Sequence, residues 1–482
     1  MPSLRLAVVG AGAAGLAAAR ELRREGHVPV VFERAAAVGG TWLYATPAPA
    51  AATDPLGAAA THSSLYASLR TNLPREVMGF LDFPFTTASS VVDGRRFPGH
   101  QEVLRYLEDF ARHFNLYGLV RFETEVIGVR REAAGRWAVT SRKLGVKGKQ
   151  DEEMYDAVVV CNGHYTEPRI ASIPGADAWP GKQMHSHNYR VPGPFLDQVV
   201  IVIGASASAV DISRDIASVA KEVHIADRSA PASTCEQEPG YDNMWLHSMV
   251  NTFFHGELNM VVISIKGATI VSPDYKTYCY YANMFYCRLR VHGKMAVWCS
   301  KMAAQSKRMS SCTVLGIVIY LYDFPFLGDD STISVDDNRV DPLYKHVFPI
   351  EVAPDLSFIG LPWKVIPFPL FELQSKWVAG VMSGRIKLPS KDEMIEDVKA
   401  IYLRLETHGW PKRYTHNFGG GYQFEYDDWL AEQCGHPPIE EWRKLMYAAT
   451  SMNKAVRPES YRDEWDDDHL VAQANEDFKK YL

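Results

Sequence analysis

The stretch LRLAVVGAGAAGLAAARELRREGHVPVVFE, residues 4–33, decides the fold. Leu4 to Val9 is an apolar run of strand length and composition, and Gly10, Gly12 and Gly15 follow it in GxGxxG register. A helical stretch, LAAARELRREG, leads to a second strand, VPVVFE, which ends in Glu33, 18 residues beyond the last glycine. Each part has a task in binding a dinucleotide. Gly10 permits the tight turn, Gly12 lets backbone approach a pyrophosphate, Gly15 lets helix pack on strand, and the helix N-terminus receives the negative charge. Ala11, Ala13 and Ala14 lie in the same turn and count with the site. Glu33 stands where a carboxylate takes a ribose 2'-hydroxyl. Glycines alone serve any crowded strand–helix turn; strand, helix, strand and acid together specify a Rossmann-type unit.

The wider composition bounds what such a unit can belong to. At 482 residues the chain is long enough for two or three domains. It is 47% apolar with a net charge of -6, a globular and mildly acidic balance without the basic surplus that nucleic-acid binding uses. Seven cysteines with no CxxC pair disfavour a disulfide scaffold or a thiol redox centre and point to a reducing compartment. The chain moves straight into the first strand, so no secretory leader is expected, and no run approaches the ~20 apolar residues of a membrane-spanning helix. The expectation is a soluble, cytoplasmic protein. No His/Cys/Asp cluster has a metal-ligand spacing, so no metal is expected.

Further along, ERAAAVGGTW carries Gly39, Gly40 and Trp42, either an ordinary turn or a second close passage of backbone past a ligand. Residues 64–85, SLYASLRTNLPREVMGFLDFPF, have no clean period, HQEVLRYLEDFARHFNL is an amphipathic helix, and YDAVVVCNGH is a strand ending at Gly163. WPGKQMHSHNY places Gly181, His185 and Tyr189 at GxxxHxxxY spacing; by itself His185 reads as a hydrogen-bonded structural histidine. QVVIVIGASASAVDISRDIASVAKEVHIADR repeats the strand, turn, helix, strand grammar with Gly204, Ala205, Ser206, Ala207, Ser208 and Ala209. Only one glycine survives there, and a buried turn explains the motif about as well.

Taken together the chain resembles the flavin-containing monooxygenases, especially the plant-type S-oxygenases acting on glucosinolates and related thioethers. GAGAAGLAAAREL, SLRTNLPREVMGFLDFPF, WPGKQMHSHNYRVP, DISRDIASVAKEVHIADRS, VDPLYKHVFP and FELQSKWVAGV carry the resemblance over most of the chain. Trp179 stands where the family's FxGxxxHxxx pattern has Phe. The implied fold is α/β, with two nested Rossmann-like dinucleotide-binding domains for FAD and NADPH. The FAD domain is discontinuous: 1–190 and 321–435 form it, 191–320 form the NADPH domain, and 436–482 a C-terminal helical extension.

The resemblance also assigns roles. Gly40 and Trp42 pass close to FAD, and Gly204 to Ala209 match the family's GxSxS NADPH turn. Arg228 meets the 2'-phosphate of NADPH. Asp227 departs from the small polar residue usual there, and a carboxylate would repel a phosphate. Asn72, in RTNLP, matches the asparagine at the flavin face; otherwise it forms an Asx turn before Pro74. In the family, hydride passes from nicotinamide to flavin, reduced FAD forms a C4a-hydroperoxide with O2, and a soft sulfur or nitrogen nucleophile takes the distal oxygen. The expected function is S-oxygenation of a small thioether. The alternatives are an amine-oxygenating or auxin-synthesis-type member, or a non-catalytic form disabled by residues 263–319.

That last segment does not fit. From Tyr275 to Tyr322 there is no Asp or Glu, while four of the seven cysteines and seven Lys or Arg fall there. Ile317, Val318, Ile319 and Tyr320 replace the family's CTGY. The segment is a foreign insertion from a retained intron or faulty gene model, a basic insertion that binds a partner or membrane surface, or a divergent hairpin. Beyond it, IEEWRKLMYAATS reads as an amphipathic surface helix and RDEWDDDH as a solvated acidic run.

Overall fold

Leu6, Ala7 and Val8 are completely buried, as a strand covered on both faces by helices and sheet requires. The computed structural model describes residues 3–44, 63–86, 92–133, 135–146, 148–165, 167–168, 182–231, 234–256, 260–265, 268–271, 312–316, 320–328 and 333–481. In it the strand Arg5–Val9 sits in the middle of a five-stranded parallel sheet. The order is Leu356–Phe358, Ala157–Val160, Arg5–Val9, Val28–Phe32, Val120–Arg121. Strands far apart in sequence thus meet side by side. The helix Ala13–Arg24 packs against the helix Pro367–Met382, and an antiparallel meander of Thr124–Arg131, Trp137–Lys143 and Gln150–Tyr155 lies alongside in the chain.

The two helices are joined by buried charge. Arg20, 1% exposed, donates to Glu21 (2.7 Å) and Asp82 (2.6 Å) and lies 3.2 Å from Glu372, which is completely buried. Lys376 pairs with Glu372 at 2.6 Å, and the N–H of Leu81 donates to the same carboxylate. Burial pushes the Asp82 carboxyl upward, but Arg20, Lys376 and Arg24 outweigh it and hold the group down at about 2. Buried charges persist only when paired this completely.

This unit comprises Met1–Tyr44, Leu69–Glu167 and Leu321–Leu482; a second comprises Ala45–Ser68 and Pro168–Tyr320. The second has a six-stranded sheet: Cys235–Gln237, Met244–Ser248, Glu222–Asp227, Val199–Ile203, Cys312–Gly316, Lys182–His185. All neighbours are parallel except the first pair. The molecule is therefore α/β with Rossmann-type sheets. Lys182–His185 joins the second sheet, whereas the sequence division at residue 190 lies beyond it. The apolar run that precedes LYDFPF supplies the inner strand Cys312–Gly316, in register with Val199–Ile203. Residues 272–311 and 317–319, hence Cys279, Cys287, Cys299 and the altered CTGY positions 317 to 319, lie outside the described residues, as do Trp179 and Gly181.

Behind the first sheet lies a buried histidine group. His346 and His416 share a contact between their Nδ1 atoms at 3.0 Å, the N–H of Val340 donates to His416 Nε2 at 3.2 Å, and Tyr322 lies between His416 and His164. Burial pushes His164 down to about 4 and His346 to about 3, and His416 well below its usual value. Each is neutral when folded but binds a proton near pH 6.5 when unfolded. Their stabilising share is therefore complete above that pH and lost as pH falls below it, by at most ~1.4 kcal/mol per pH unit per histidine. The thermal midpoint is expected to fall from pH 6.5 to 5, and His346→Phe to flatten that fall; an unchanged slope in the variant contradicts this account.

Candidate functional site

The first turn is built from backbone. Gly10 has φ +105° and donates its N–H to Phe32 O at 2.8 Å; a Cβ there would lie 2.5 Å from Cys161 O. A Cβ on Gly15 would lie 1.9 Å from Gly10 O, so helix and strand touch as closely as bare backbone allows. The second glycine pair closes on the first. The N–H of Gly39 donates to Ala11 O at 3.0 Å, and a Cβ on Gly40 would meet Gly12 Cα at 2.9 Å. Trp42 packs edge-on to Phe368 beyond this passage.

The helix Ala13–Arg24 begins with no side-chain cap and no acidic residue in its first turn. Its free amides and positive dipole end are thus left for an anion. Glu33, 4% exposed, accepts from Ala11 N–H (2.8 Å) and Ala35 N–H (2.7 Å). Burial pushes its carboxyl up, against the pull of those amides. With about four lone-pair positions on a carboxylate, it retains capacity for hydroxyl donors. Buried His100, its ring 5.2 Å from that of Tyr44, has no partner for either nitrogen among the described residues. Sequence reasoning passed over His100; its one signal was a PGH just before an amphipathic helix. A cradle without Cβ atoms, an uncapped helix start, a carboxylate and an unpartnered imidazole fit the diphosphate and ribose of a dinucleotide.

The second unit has the same turn. Gly204 has φ +110° and donates to Ala226 O at 2.9 Å; Val210 N–H donates to Ser206 O at 3.1 Å, as Leu16 does to Gly12 O at 3.0 Å. The helix Ala207–Ala217 also lacks a side-chain cap and a first-turn acid. Ser206, Ala207 and Ser208 are exposed, Ala205 is half-buried, and Ala209 is buried where the first unit has Gly15. Arg228 is exposed past the second strand, without an ion pair among the described residues, and Asp227 accepts from Ser229. His185 is buried, accepts from His187 N–H at 3.0 Å, and is pushed down to about 4 by burial. Tyr189 donates to Asp215 at 2.6 Å.

Asn72 is exposed and its side-chain amide makes no hydrogen bond among the described residues, so no Asx turn forms with them before Pro74. Its neighbours are held instead: Thr71 N–H donates to Pro98 O and Arg75 N–H to Arg96 O, both at 2.9 Å. The clamp comes from the far end of the chain. Arg443, on the helix Glu441–Val456, donates to Val77 O (2.6 Å), Glu76 O (3.1 Å) and Gly79 O (3.3 Å), capping the short helix Arg75–Met78. Arg462 donates to Thr71 O at 2.9 Å, Arg70 pairs with Asp463, and buried Arg96 is bidentate to buried Asp467. The acidic run RDEWDDDH was expected to be solvated. This corrects that expectation for Asp467, which is buried against Arg96, whereas Asp463 pairs with Arg70 and stays exposed, as a solvated run requires.

A family model described as flavin-binding monooxygenase-like matches residues 3–270 and 304–438. The misfit read from sequence at 263–319 is thus wider than the 271–303 interval the model leaves unmatched. The chain is 52% identical over 489 residues to flavin-containing monooxygenase FMO GS-OX-like 4 of Arabidopsis thaliana, across 99% of this chain and 98% of that one. It is similar to the solved S-allyl-L-cysteine S-oxygenase from Allium sativum, with 54% identity, 99% of each chain covered and a TM-score of 0.85. Tmm from Pelagibacter sp. shares the fold at 22% identity and a TM-score of 0.73, over 95% of this chain and 93% of that one.

Removing the clamp is expected to be costly. Arg443→Ala leaves the carbonyls at the end of the Arg75–Met78 helix without their buried donor and should lower unfolding stability by about 2–4 kcal/mol. Urea denaturation measures this; a loss below about 0.5 kcal/mol, the size of an ordinary surface change, removes the clamp.

Proposed function

The chain belongs to the flavin-binding monooxygenase-like family, and from that premise we propose that it transfers one oxygen atom of O2 to the sulfur of a small thioether. Membership makes the chain an enzyme whose cofactors are FAD and NADPH. The sulfur assignment is carried by the likeness to the garlic S-oxygenase over 99% of both chains. The two-nucleotide, oxygen-using part of the reading has the further support that the described residues offer two uncapped helix starts and no paired cysteines to take electrons onward.

Bound FAD supplies the hydride acceptor and the centre that activates oxygen. The protein's share is binding, orientation and exclusion of water. In this proposal the amides of Gly12 to Gly15 hold the FAD diphosphate, Ala11 fixes Glu33 beneath the turn, Glu33 accepts a ribose hydroxyl, and Gly40 and Trp42 line the near passage. Gly204 to Ala209 hold the NADPH diphosphate and Arg228 the 2'-phosphate. Asn72, its amide without a partner among the described residues, offers a hydrogen-bond donor and acceptor at the flavin face, kept in place by Arg443 and Arg462 through the backbone on either side. We further place the enzyme in the cytoplasm: Cys161, Cys235 and Cys434 are free thiols, and among the described residues no helix is long and apolar enough to cross a membrane.

Two glycine variants test the cradle. A Cβ on Gly12 meets nothing nearer than Gly40 Cα at 3.6 Å, an ordinary contact, so Gly12→Ala should fold normally yet lose bound flavin. Gly15→Ala should lose both flavin and stability, since its Cβ collides with Gly10 O at 1.9 Å. A Gly12→Ala protein with one yellow flavin per chain would place the diphosphate elsewhere.

The reaction is tested by NADPH consumption and product. A small alkyl cysteine thioether should raise NADPH oxidation and yield one sulfoxide per NADPH, while a tertiary amine should not. Stimulation by the amine alone would replace sulfur with nitrogen, and a colourless chain that FAD cannot reconstitute would end the proposal for both.

A further inference from the structure

From Gly204 to Asp227 the second unit repeats the first residue for residue. Arg5–Val9 pairs with Val28–Phe32 as Val199–Ile203 pairs with Glu222–Ala226, and the turn glycine donates to the last paired residue of the second strand in both. Asp227 therefore occupies the place of Glu33. A carboxylate there accepts from a ribose hydroxyl and repels a phosphate on the same carbon. Glu33 is long enough to reach back to the Ala11 N–H at 2.8 Å. Asp227, one methylene shorter, turns to Ser229 instead, accepting its N–H at 2.9 Å and its hydroxyl at 2.6 Å. These two bonds fix the acid at the strand tip without removing its charge. Beside it stands exposed Arg228, with no ion-pair partner among the described residues. One strand end thus presents an acid suited to a bare ribose and a base suited to a 2'-phosphate.

We infer that Asp227 weakens this site's discrimination between nucleotides with and without a 2'-phosphate, so that the enzyme accepts NADH alongside NADPH. Arg228 supplies the attraction for the phosphate and Asp227 offsets much of it. The inference rests on the placement of the pyridine nucleotide at the Gly204 turn.

The test is calorimetric titration of the FAD-loaded protein with 2',5'-ADP and with 5'-AMP, fragments that report the adenosine end alone. The wild type should prefer 2',5'-ADP by less than about tenfold, an offset that one repelling unit charge a few ångströms from a phosphate can produce. Asp227→Asn, which keeps an acceptor for the Ser229 N–H but not the charge, should raise that preference about tenfold through tighter 2',5'-ADP binding. Asp227→Ser should move it in the same direction, and Arg228→Ala should abolish it. The NADPH-to-NADH ratio of kcat/KM should follow the same order. An unchanged preference in both Asp227 variants, each with wild-type thermal midpoint and flavin content, overturns the inference alone. Failure of the wild type to bind either fragment overturns the placement and the inference together.

Discussion

Backbone touching backbone is the constraint on which the first unit depends. Gly15 meets Gly10, Gly10 meets Cys161 at the end of the neighbouring strand, and Gly40 meets Gly12, so closely that a Cβ on the first-named glycine of each pair would lie 1.9, 2.5 and 2.9 Å from the other's backbone. Because helix and strand meet so closely, the helix starts at the edge of the sheet with its amides uncovered, and Glu33 at the tip of the next strand reaches under the same turn. The buried Arg20–Glu372–Lys376 cluster then ties that helix to Pro367–Met382, which comes from the last third of the chain. A site written in the first 33 residues is thus held by residues more than 300 positions away.

The same arrangement recurs with the Asn72 segment. RTNLP has no periodicity to hold it, and the Asn72 side chain is bonded to nothing among the described residues. Its conformation comes from arginines that serve backbone carbonyls: Arg75 donates to Arg95 O, Arg443 to Val77 O, Arg462 to Thr71 O. A guanidinium carries five donors in a rigid fork, so Arg443 serves three carbonyls of an irregular stretch from one nitrogen while its other two face Glu440. The C-terminal helices look like amphipathic surface elements along their own sequence; the apolar side of Trp442, Met446, Leu470 and Phe478 packs around Val77 and Ile366.

Much of this was legible beforehand because it is local. Strand, GxGxxG turn, helix and acid lie within one short stretch, and their spacing follows from strand and helix geometry. The second turn was less legible, because Ser206 and Ala209 stand where the first has glycines, and only the shared strand register shows the two to be equivalent. The apolar run before LYDFPF was hardest. Alone it resembles a stranded fragment, yet Cys312–Gly316 fills a place in a parallel sheet between strands contributed from more than 100 residues upstream. Parallel pairing leaves no short-range trace, since neighbouring strands are separated by long crossovers.

By itself the sequence determined the α/β class, the first glycine turn and the family resemblance, because turn chemistry and hydrophobic period act over a few neighbouring residues. Only the tertiary structure decided which distant partner each polar group would meet. Asp467 became a buried ion-pair partner rather than solvated charge, Asn72 met no partner among the described residues, and Asp227 proved the counterpart of Glu33. The physical reason is the same in all three. A charge or an amide has no fate of its own along the chain; burial and the donors that converge on it settle whether it is paired, solvated or kept for a ligand.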